Sequence, residues 1–195
     1  MRIAKTRRRP LLSRMDLGLY SAKEFDRGAS RLKEILWVAV KCLFFLPSWP
    51  MPSAVRVFWL RRFGAQIGHG VVIRAQVNIT FPWRLTVGDH VWLGEEVMIL
   101  NLAPVTIESS VCVSQRAFLC TGSHDFRRET FALKTKPIVL RSGCWVAAQA
   151  FVGPDVEIGG GAVLAAGSVT FRDIPANALA QGNPAQIIEQ PIRRS

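Results

Sequence analysis

Beyond Gly64, large aliphatic residues recur at every sixth position of the chain. In register these are Ile67, Ile73 and Ile79, then Val87, Leu93 and Ile99, then Ile107, Val113 and Leu119. After one break the register resumes with Leu140, Val146, Val152, Ile158 and Leu164. Four places on stands a small or β-branched residue: Val71, Val77, Val91, Val97, Ala103, Val111, Ala117, Ser123, Cys144, Ala150, Val156, Ala162 and Ser168, with Trp83 the exception. A period of six fits neither an amphipathic helix nor a simple alternating strand, and marks a repeat architecture. It predicts strands of about two to three residues joined by tight turns, which fold the chain into triangular coils. The large aliphatic points inward, its smaller partner fills the remaining interior, and Gly or Asp takes the corners. Five coils are expected, over 67–84, 87–104, 107–124, 140–157 and 158–175. The first three repeat every twenty residues rather than eighteen, with the extra residues at corners such as Phe81–Arg84 and Asn101–Pro104. So short a prism has little depth of its own, and its flat faces are expected to close against two copies as a C3 homotrimer.

Before Gly64 the period is helical. Leu32, Ile35, Leu36, Ala39 and Leu43 form one stripe, which Trp37, Val40 and Phe44 widen. The segment Pro47-Ser48-Trp49-Pro50-Met51-Pro52 breaks that helix. A second, short helix is expected over about Ser53 to Phe63, with Arg56, Arg61 and Arg62 beside Val55, Phe58 and Trp59. The chain thus divides into a basic, flexible tail (1–28), a helical segment (29–63), the coils (64–176) and a tail packing on the last coil (177–195). Two roles are open to the helical segment. It is either a cap on the first coil or a peripheral membrane contact, with aromatics in the acyl boundary and arginines on acidic lipid heads.

Composition narrows the partners. The 195 residues include 25 Lys and Arg against 14 Asp and Glu, a net charge of +11 that favours anionic partners. No stacking aromatics accompany the N-terminal arginine run and no nucleic-acid-binding motif is present, so no nucleic acid partner is expected. The longest apolar runs, Ile35–Val40 and Cys42–Pro47, are too short to span a bilayer. No cleavable secretion signal is evident, and a cytoplasmic protein, peripheral at most to the inner membrane face, is expected. Cys42, Cys112, Cys120 and Cys144 lack metal-ligand spacing and read as reduced thiols filling small core positions; no metal is expected. His69 and His90 read as solvated corner residues, and the three histidines lack the clustering that metal catalysis across an interface would need.

The only long break in the repeat lies between Leu119 and Leu140. There a polar insertion near residues 124–137 opens with His124-Asp125. A polar loop leaving a rigid scaffold is a favoured place for function, and an imidazole titrates near neutrality. Three groups of residues carry a resemblance: Phe63–Gly68 and Phe81–Asp89; Ser114–Asp125, containing Thr121-Gly122-Ser123-His124-Asp125; and Gly143–Ala148 with Gly182-Asn183-Pro184-Ala185. Over about residues 30 to 190 the chain resembles the hexapeptide-repeat O-acetyltransferases of the colanic-acid-biosynthesis type, related to the galactoside and maltose enzymes.

That resemblance implies a mainly β protein, a left-handed parallel β-helix. It implies acetyl-CoA as donor and a sugar hydroxyl in exopolysaccharide assembly as acceptor; the helical segment, read as interfacial, suggests a lipid-linked saccharide. His124 becomes the general base for direct attack on the thioester, with Asp125 a candidate to orient it. Coenzyme A is expected beside the later coils, along Trp145, Ala147, Ala165, Ala166, Gly167 and Ser168, with Arg172 on its phosphates. Gln186 stands where a basic residue is usual, and Arg193 or Arg194 is a candidate to replace it. Asn101, Trp83 and Arg84 are candidates for the saccharide. The related galactoside-type enzymes carry acidic residues where this chain has Asn101-Leu102, so their substrate does not transfer. The opposing reading is a non-catalytic hexapeptide-repeat scaffold, because small residues at these places are also what the repeat itself requires.

Overall fold

The structure, a computed structural model, describes residues 15–22 and 25–191. These fall into two compact units: residues 27–122 with 135–191, and the described residues up to Asp26 with 123–134.

In the larger unit, helix α1 (Arg31–Phe44) starts at Ser30, whose side chain accepts the Lys33 N–H. It ends before the proline-rich segment; α2 (Ser53–Arg62) follows. Strands of two or three residues then wind through successive coils. The first holds β1 (Gln66–Ile67), β2 (Val72–Ile73) and β3 (Asn78–Ile79); the second β4 (Leu85–Val87), β5 (Trp92–Leu93) and β6 (Met98–Leu100). The third holds β7 (Val105–Ile107), β8 (Cys112–Val113) and β9 (Phe118–Cys120). The insertion contributes β10 (Gly122–His124) and β11 (Leu133–Thr135). Coil four has β12 (Ile138–Leu140), β13 (Trp145–Val146) and β14 (Phe151–Val152); coil five β15 (Val156–Ile158), β16 (Val163–Leu164) and β17 (Val169–Thr170). Beyond it lie β18 (Leu179–Gly182) and β19 (Ala185–Glu189).

Strands of equal rank stack into three faces: β1-β4-β7-β12-β15, β2-β5-β8-β13-β16-β18 with β19 at the edge, and β3-β6-β9-β14-β17. Each face points a buried ladder inward, most of it strand-end residues. On the first this is Ile67, Val87, Ile107, Leu140 and Ile158. On the second it is Ile73, Leu93, Val113, Val146, Leu164 and Ala180. The expected corner partners are buried as well, save Ser123, which has left the coil with the insertion.

Five coils were expected; five complete ones and part of a sixth are present. Ile158 bridges to Ile174 and Leu164 pairs with Ala180, steps of sixteen residues that fall outside the six-residue register. Against β18, β19 runs antiparallel and covers an otherwise open strand edge.

The corners are not chiefly glycine. Two left-handed positions recur in each coil: Gly70, His90, Ser110, Gly143, Gly161 and Asn177 at one, and Gln76, Glu96, Arg116, Gln149 and Gly167 at the other. Several other glycines serve coil-to-coil contact instead. A Cβ on Gly94 would lie 2.7 Å from the Gln115 nitrogen of the next coil.

The helices close the opposite end. The last carbonyl of each strand in the first coil faces no further coil, and a side chain supplies the missing donor on every face. Arg61 donates to Ile67 O at 2.7 Å, Arg56 Nη1 and Ser53 Oγ donate to Ile73 O at 3.1 and 3.2 Å, and Trp37 Nε1 donates to Ile79 O at 3.0 Å. Arg56, only 2% exposed, also donates to Phe44 O and Met51 O, and burial pushes its pKa below the ordinary value.

Capping decides which side of α1 faces the coils. Trp37 is buried, Val40 and Phe44 pack on the core, and Lys41 reaches Asn78 Oδ1. The aliphatic stripe faces out, with Leu32 66%, Ile35 65% and Leu36 50% exposed. The indole buries more surface than an aliphatic side chain and brings the donor that Ile79 O requires.

In the smaller unit, where a flexible tail was expected, residues 17–19 form a 3-10 turn capped by Asp16. The Asp16 N–H donates to Glu129 O at 3.0 Å. Residues 1–14, 23 and 24 of the expected basic tail lie outside the described residues.

Candidate active site

The insertion starts where the third coil would have turned its last corner. At its neck, within the larger unit, the Lys136 N–H donates to Thr121 O at 3.0 Å, and Lys136 Nζ lies 3.6 Å from Asp155. Thr121 is buried; its hydroxyl donates to Leu100 O and accepts the Ala103 N–H. The Thr121-Gly122-Ser123-His124-Asp125 run therefore begins on a residue locked into the coil stack.

Within the smaller unit, His124 is held on three sides. Its Nδ1 lies 2.8 Å from the carbonyl oxygen of Phe131. A carbonyl only accepts, so Nδ1 carries the hydrogen and donates, which in the neutral ring leaves the lone pair on Nε2. The Phe131 ring stacks on the imidazole, and Tyr20 meets it edge-on at 5.6 Å. Phe131 has φ of +48°, uncommon for an aromatic residue, in the turn that presents both ring and carbonyl to His124.

Asp125, expected to orient the imidazole, has other partners. Lys134 Nζ lies 2.9 Å from its carboxylate and Arg128 Nε 3.5 Å, while Oδ1 accepts the Arg127 N–H. The Lys134 hydrogen bond, with help from these neighbours, holds the carboxyl below the usual range. Asp125 braces the loop, and the carbonyl of Phe131 takes the orienting place. Neither Phe131 nor Tyr20 was legible beforehand: a backbone acceptor has no residue signature, and Tyr20 is about a hundred positions away in the chain.

The residues expected beside coenzyme A lie on the later coils of the larger unit. Trp145 is exposed on the second face, its Nε1 donating to Ser114 Oγ at 2.8 Å. Ala166 and Gly167 are exposed at a corner and Ala165 is half-buried, whereas Ala147 and Ser168 are interior. The Ser168 hydroxyl is engaged by the Gly182 N–H at 3.0 Å, so it supports the C-terminal turn instead of meeting a ligand. Exposed Arg172 and Gln186 line one cleft of about 320 Å³ with Phe171, Pro184 and Ile187. Arg193 and Arg194 lie outside the described residues.

The expected saccharide platform does not assemble. Asn101 is fully buried, its amide spent on Phe81: Oδ1 accepts the Phe81 N–H and Nδ2 donates to Phe81 O. Half-buried Trp83 stacks on Phe81 and donates to Arg27 O, with Lys33 Nζ 5.0 Å over its ring. Arg84 donates to Leu102 O. These residues brace the corner beside α1.

The other reactive groups are remote from such chemistry. Burial pushes the thiol of Cys120 up and that of Cys144 to about 12, so neither offers a thiolate near neutrality. Cys42, expected in the core, is exposed on α1, because the helix turns its other side inward. His69 and His90 are exposed at corners. Among the described residues no group of three or more His, Cys, Asp or Glu could hold a metal ion.

Comparison with known proteins gives this arrangement its class. No protein-family model matches the chain. It is 42% identical over 177 residues to the colanic acid biosynthesis acetyltransferase WcaF of Escherichia coli (strain K12), covering 91% of this chain and 97% of the relative. A hexapeptide-repeat acetyltransferase of Vibrio cholerae O1 biovar eltor, solved with acetyl-coenzyme A, superposes with TM-score 0.76 at 26% identity, covering 90% of this chain and 97% of that one. A galactoside acetyltransferase solved with coenzyme A shares the fold, with TM-score 0.73 at 22% identity over 83% of this chain and 82% of the other. The stacked three-stranded coils are those of the structural neighbours, which are left-handed β-helix acetyltransferases. The chain belongs to the hexapeptide-repeat acetyltransferases, and within them to the colanic-acid-biosynthesis type.

Proposed function

We propose that this protein transfers the acetyl group of acetyl-CoA to a sugar hydroxyl during exopolysaccharide assembly, with His124 as general base. The reading is carried by the hydrogen bond from His124 Nδ1 to Phe131 O, which leaves Nε2 as the proton acceptor. Nε2 takes the hydroxyl proton as the oxygen attacks the thioester carbonyl. The tetrahedral intermediate then collapses, the C–S bond breaks, and the imidazolium returns the proton to the departing thiolate. An N–H group of a coil corner is the proposed oxyanion donor. The raised thiols of Cys120 and Cys144 favour this direct route over an acyl-cysteine intermediate.

The donor assignment is supported by the acetyl-CoA and coenzyme A complexes of the structural neighbours. Trp145, Ala165, Ala166 and Gly167 are the proposed wall for the pantetheine arm, and Arg172 the cation for the phosphates. With acetyl-CoA as donor, the reaction is assigned to the cytoplasm.

The proposed assembly is a homotrimer, supported by the outward ladders. The second face presents Val72, Trp92, Cys112, Trp145, Val163 and Leu179; the third presents Asn78, Met98, Phe118, Phe151 and Val169. The first presents Gln66, Thr86, Thr106, Val139 and Glu157, which suits solvent. Two apolar faces and one polar face suit a closed ring of three.

The test is thiol release from acetyl-CoA with a panel of hexoses and lipid-linked oligosaccharides. Acceptor-dependent release with an O-acetylated product supports the proposal. Release that no saccharide stimulates contradicts it, and no release with any acceptor favours a scaffold.

A further inference from the structure

Capping leaves the outer side of α1 uncovered by any described residue. The outer side of α1 presents Leu32, Ile35, Leu36, Val38 and Leu43, each at least half exposed, and α2 adds Phe58 at 59%. So many exposed apolar side chains on two consecutive helices mark an interaction site. Its flanks are two clefts. One, of about 680 Å³, is lined by Leu32, Leu36 and Leu43 together with Lys33 and Arg62. The other, of about 520 Å³, is lined by Ile35 and Val38 together with Arg27 and Arg31. Residues 29–63 hold six basic side chains and one carboxylate, Glu34, which Arg27 already pairs at 2.6 Å. Aliphatic and aromatic side chains rimmed by cations, with the one carboxylate neutralised, are the chemistry of an anionic bilayer surface.

We infer that the α1–α2 face docks on an anionic lipid bilayer, Leu32, Ile35, Leu36 and Phe58 entering the acyl boundary while Arg31 and Arg62 meet lipid phosphates. No helix among the described residues is long and apolar enough to cross a membrane, so attachment is from one side. A second copy of the chain suits this face poorly, because two such cationic rims would oppose each other. Neither the donor nor the acceptor of the reaction enters the inference.

The test is flotation of the full chain with vesicles of phosphatidylglycerol and phosphatidylcholine in about equal amounts, against phosphatidylcholine alone. The wild type is expected to float with the anionic vesicles and to be released by salt. Leu32→Asp/Leu36→Asp is expected to lower the bound fraction at least about tenfold. The same vesicles are expected to shield Cys42, exposed on α1, from a maleimide. Circular dichroism checks that the variant is folded, and thiol release with a soluble acceptor reads the enzyme separately. No flotation of the wild type, or equal flotation of the variant, overturns the inference. A variant of lower solution mass than the wild type also overturns it, by making the face a contact between copies.

Discussion

The imidazole of His124 lies parallel to the ring of Phe131, centroids 4.2 Å apart and planes 2° apart, while its Nδ1 is bonded to that same residue's carbonyl oxygen. One residue thus fixes both the plane of the ring and its tautomer. A ring held in this way needs no carboxylate to orient it.

The first prediction concerns Asp125. Its carboxylate serves Lys134, Arg128 and the Arg127 N–H. Asp125→Asn is expected to keep kcat within about tenfold of wild type, with any loss appearing in loop stability. A fall comparable to that of a His124 variant, read from kcat at saturating acetyl-CoA, would return Asp125 to the catalytic pair.

The second concerns the buried arginine of the cap. Arg56→Leu strips the donors from Phe44 O and Met51 O and leaves Ile73 O with Ser53 Oγ alone. Each buried acceptor left unmet costs about 1–3 kcal/mol, so a total of about 2–4 kcal/mol is expected after relaxation. Calorimetry should show a Tm lower by about 5–15 °C. An unchanged Tm would mean that the cap does not depend on this residue.

The third concerns close approach between coils. At Gly94 a methyl group would meet Gln115 N at 2.7 Å and the Ser114 carbonyl carbon at 2.9 Å, both backbone atoms. Gly94→Ala is expected to cost about 1–3 kcal/mol by overpacking. At Gly167 a Cβ meets nothing within 4 Å, so Gly167→Asn, which tolerates its φ of +68°, should cost much less. Chemical denaturation of the two variants checks the contrast.

The fourth concerns acid stability. Arg141 bridges Glu108 and Glu157 on the first face, each at 2.8 Å. Hydrogen bonds from Arg141, and for Glu108 also from Ser142, hold both carboxyls below their ordinary 4.5. A depressed carboxyl stabilises the fold above its unfolded pKa and loses that contribution as pH falls through the folded value. Arg141→Met should therefore lower Tm at pH 7, with the gap to wild type narrowing as pH falls below 4.5. A gap independent of pH would assign the loss to packing.

Much of the scaffold could be read from residue types. Ile67, Leu93 and Leu119 sit inside because a six-residue spacing of large aliphatics has few other solutions. The partial sixth coil escaped because the Ile158–Ile174 step skips two residues and breaks the register. The direction of α1 escaped because periodicity reports that a stripe exists, not which of two apolar stripes a neighbour covers. Trp37 decided it through a carbonyl 42 positions away. At the candidate site, the position of His124 at the break in the repeat was legible from the spacing, and the hairpin strands Gly122–His124 and Leu133–Thr135 fall there. Phe131 was not legible, since it acts through its backbone, and Asn101 was misread because a buried ladder amide and a ligand-binding amide look alike in one dimension.

The most direct measurement is turnover of His124→Asn, which keeps a donor near the Nδ1 position but has no basic nitrogen, alongside its affinity for acetyl-CoA. Acetyl transfer is expected to fall by about 10²–10⁴-fold while the Kd for acetyl-CoA stays within about threefold. Turnover within tenfold of wild type would contradict His124 as the base.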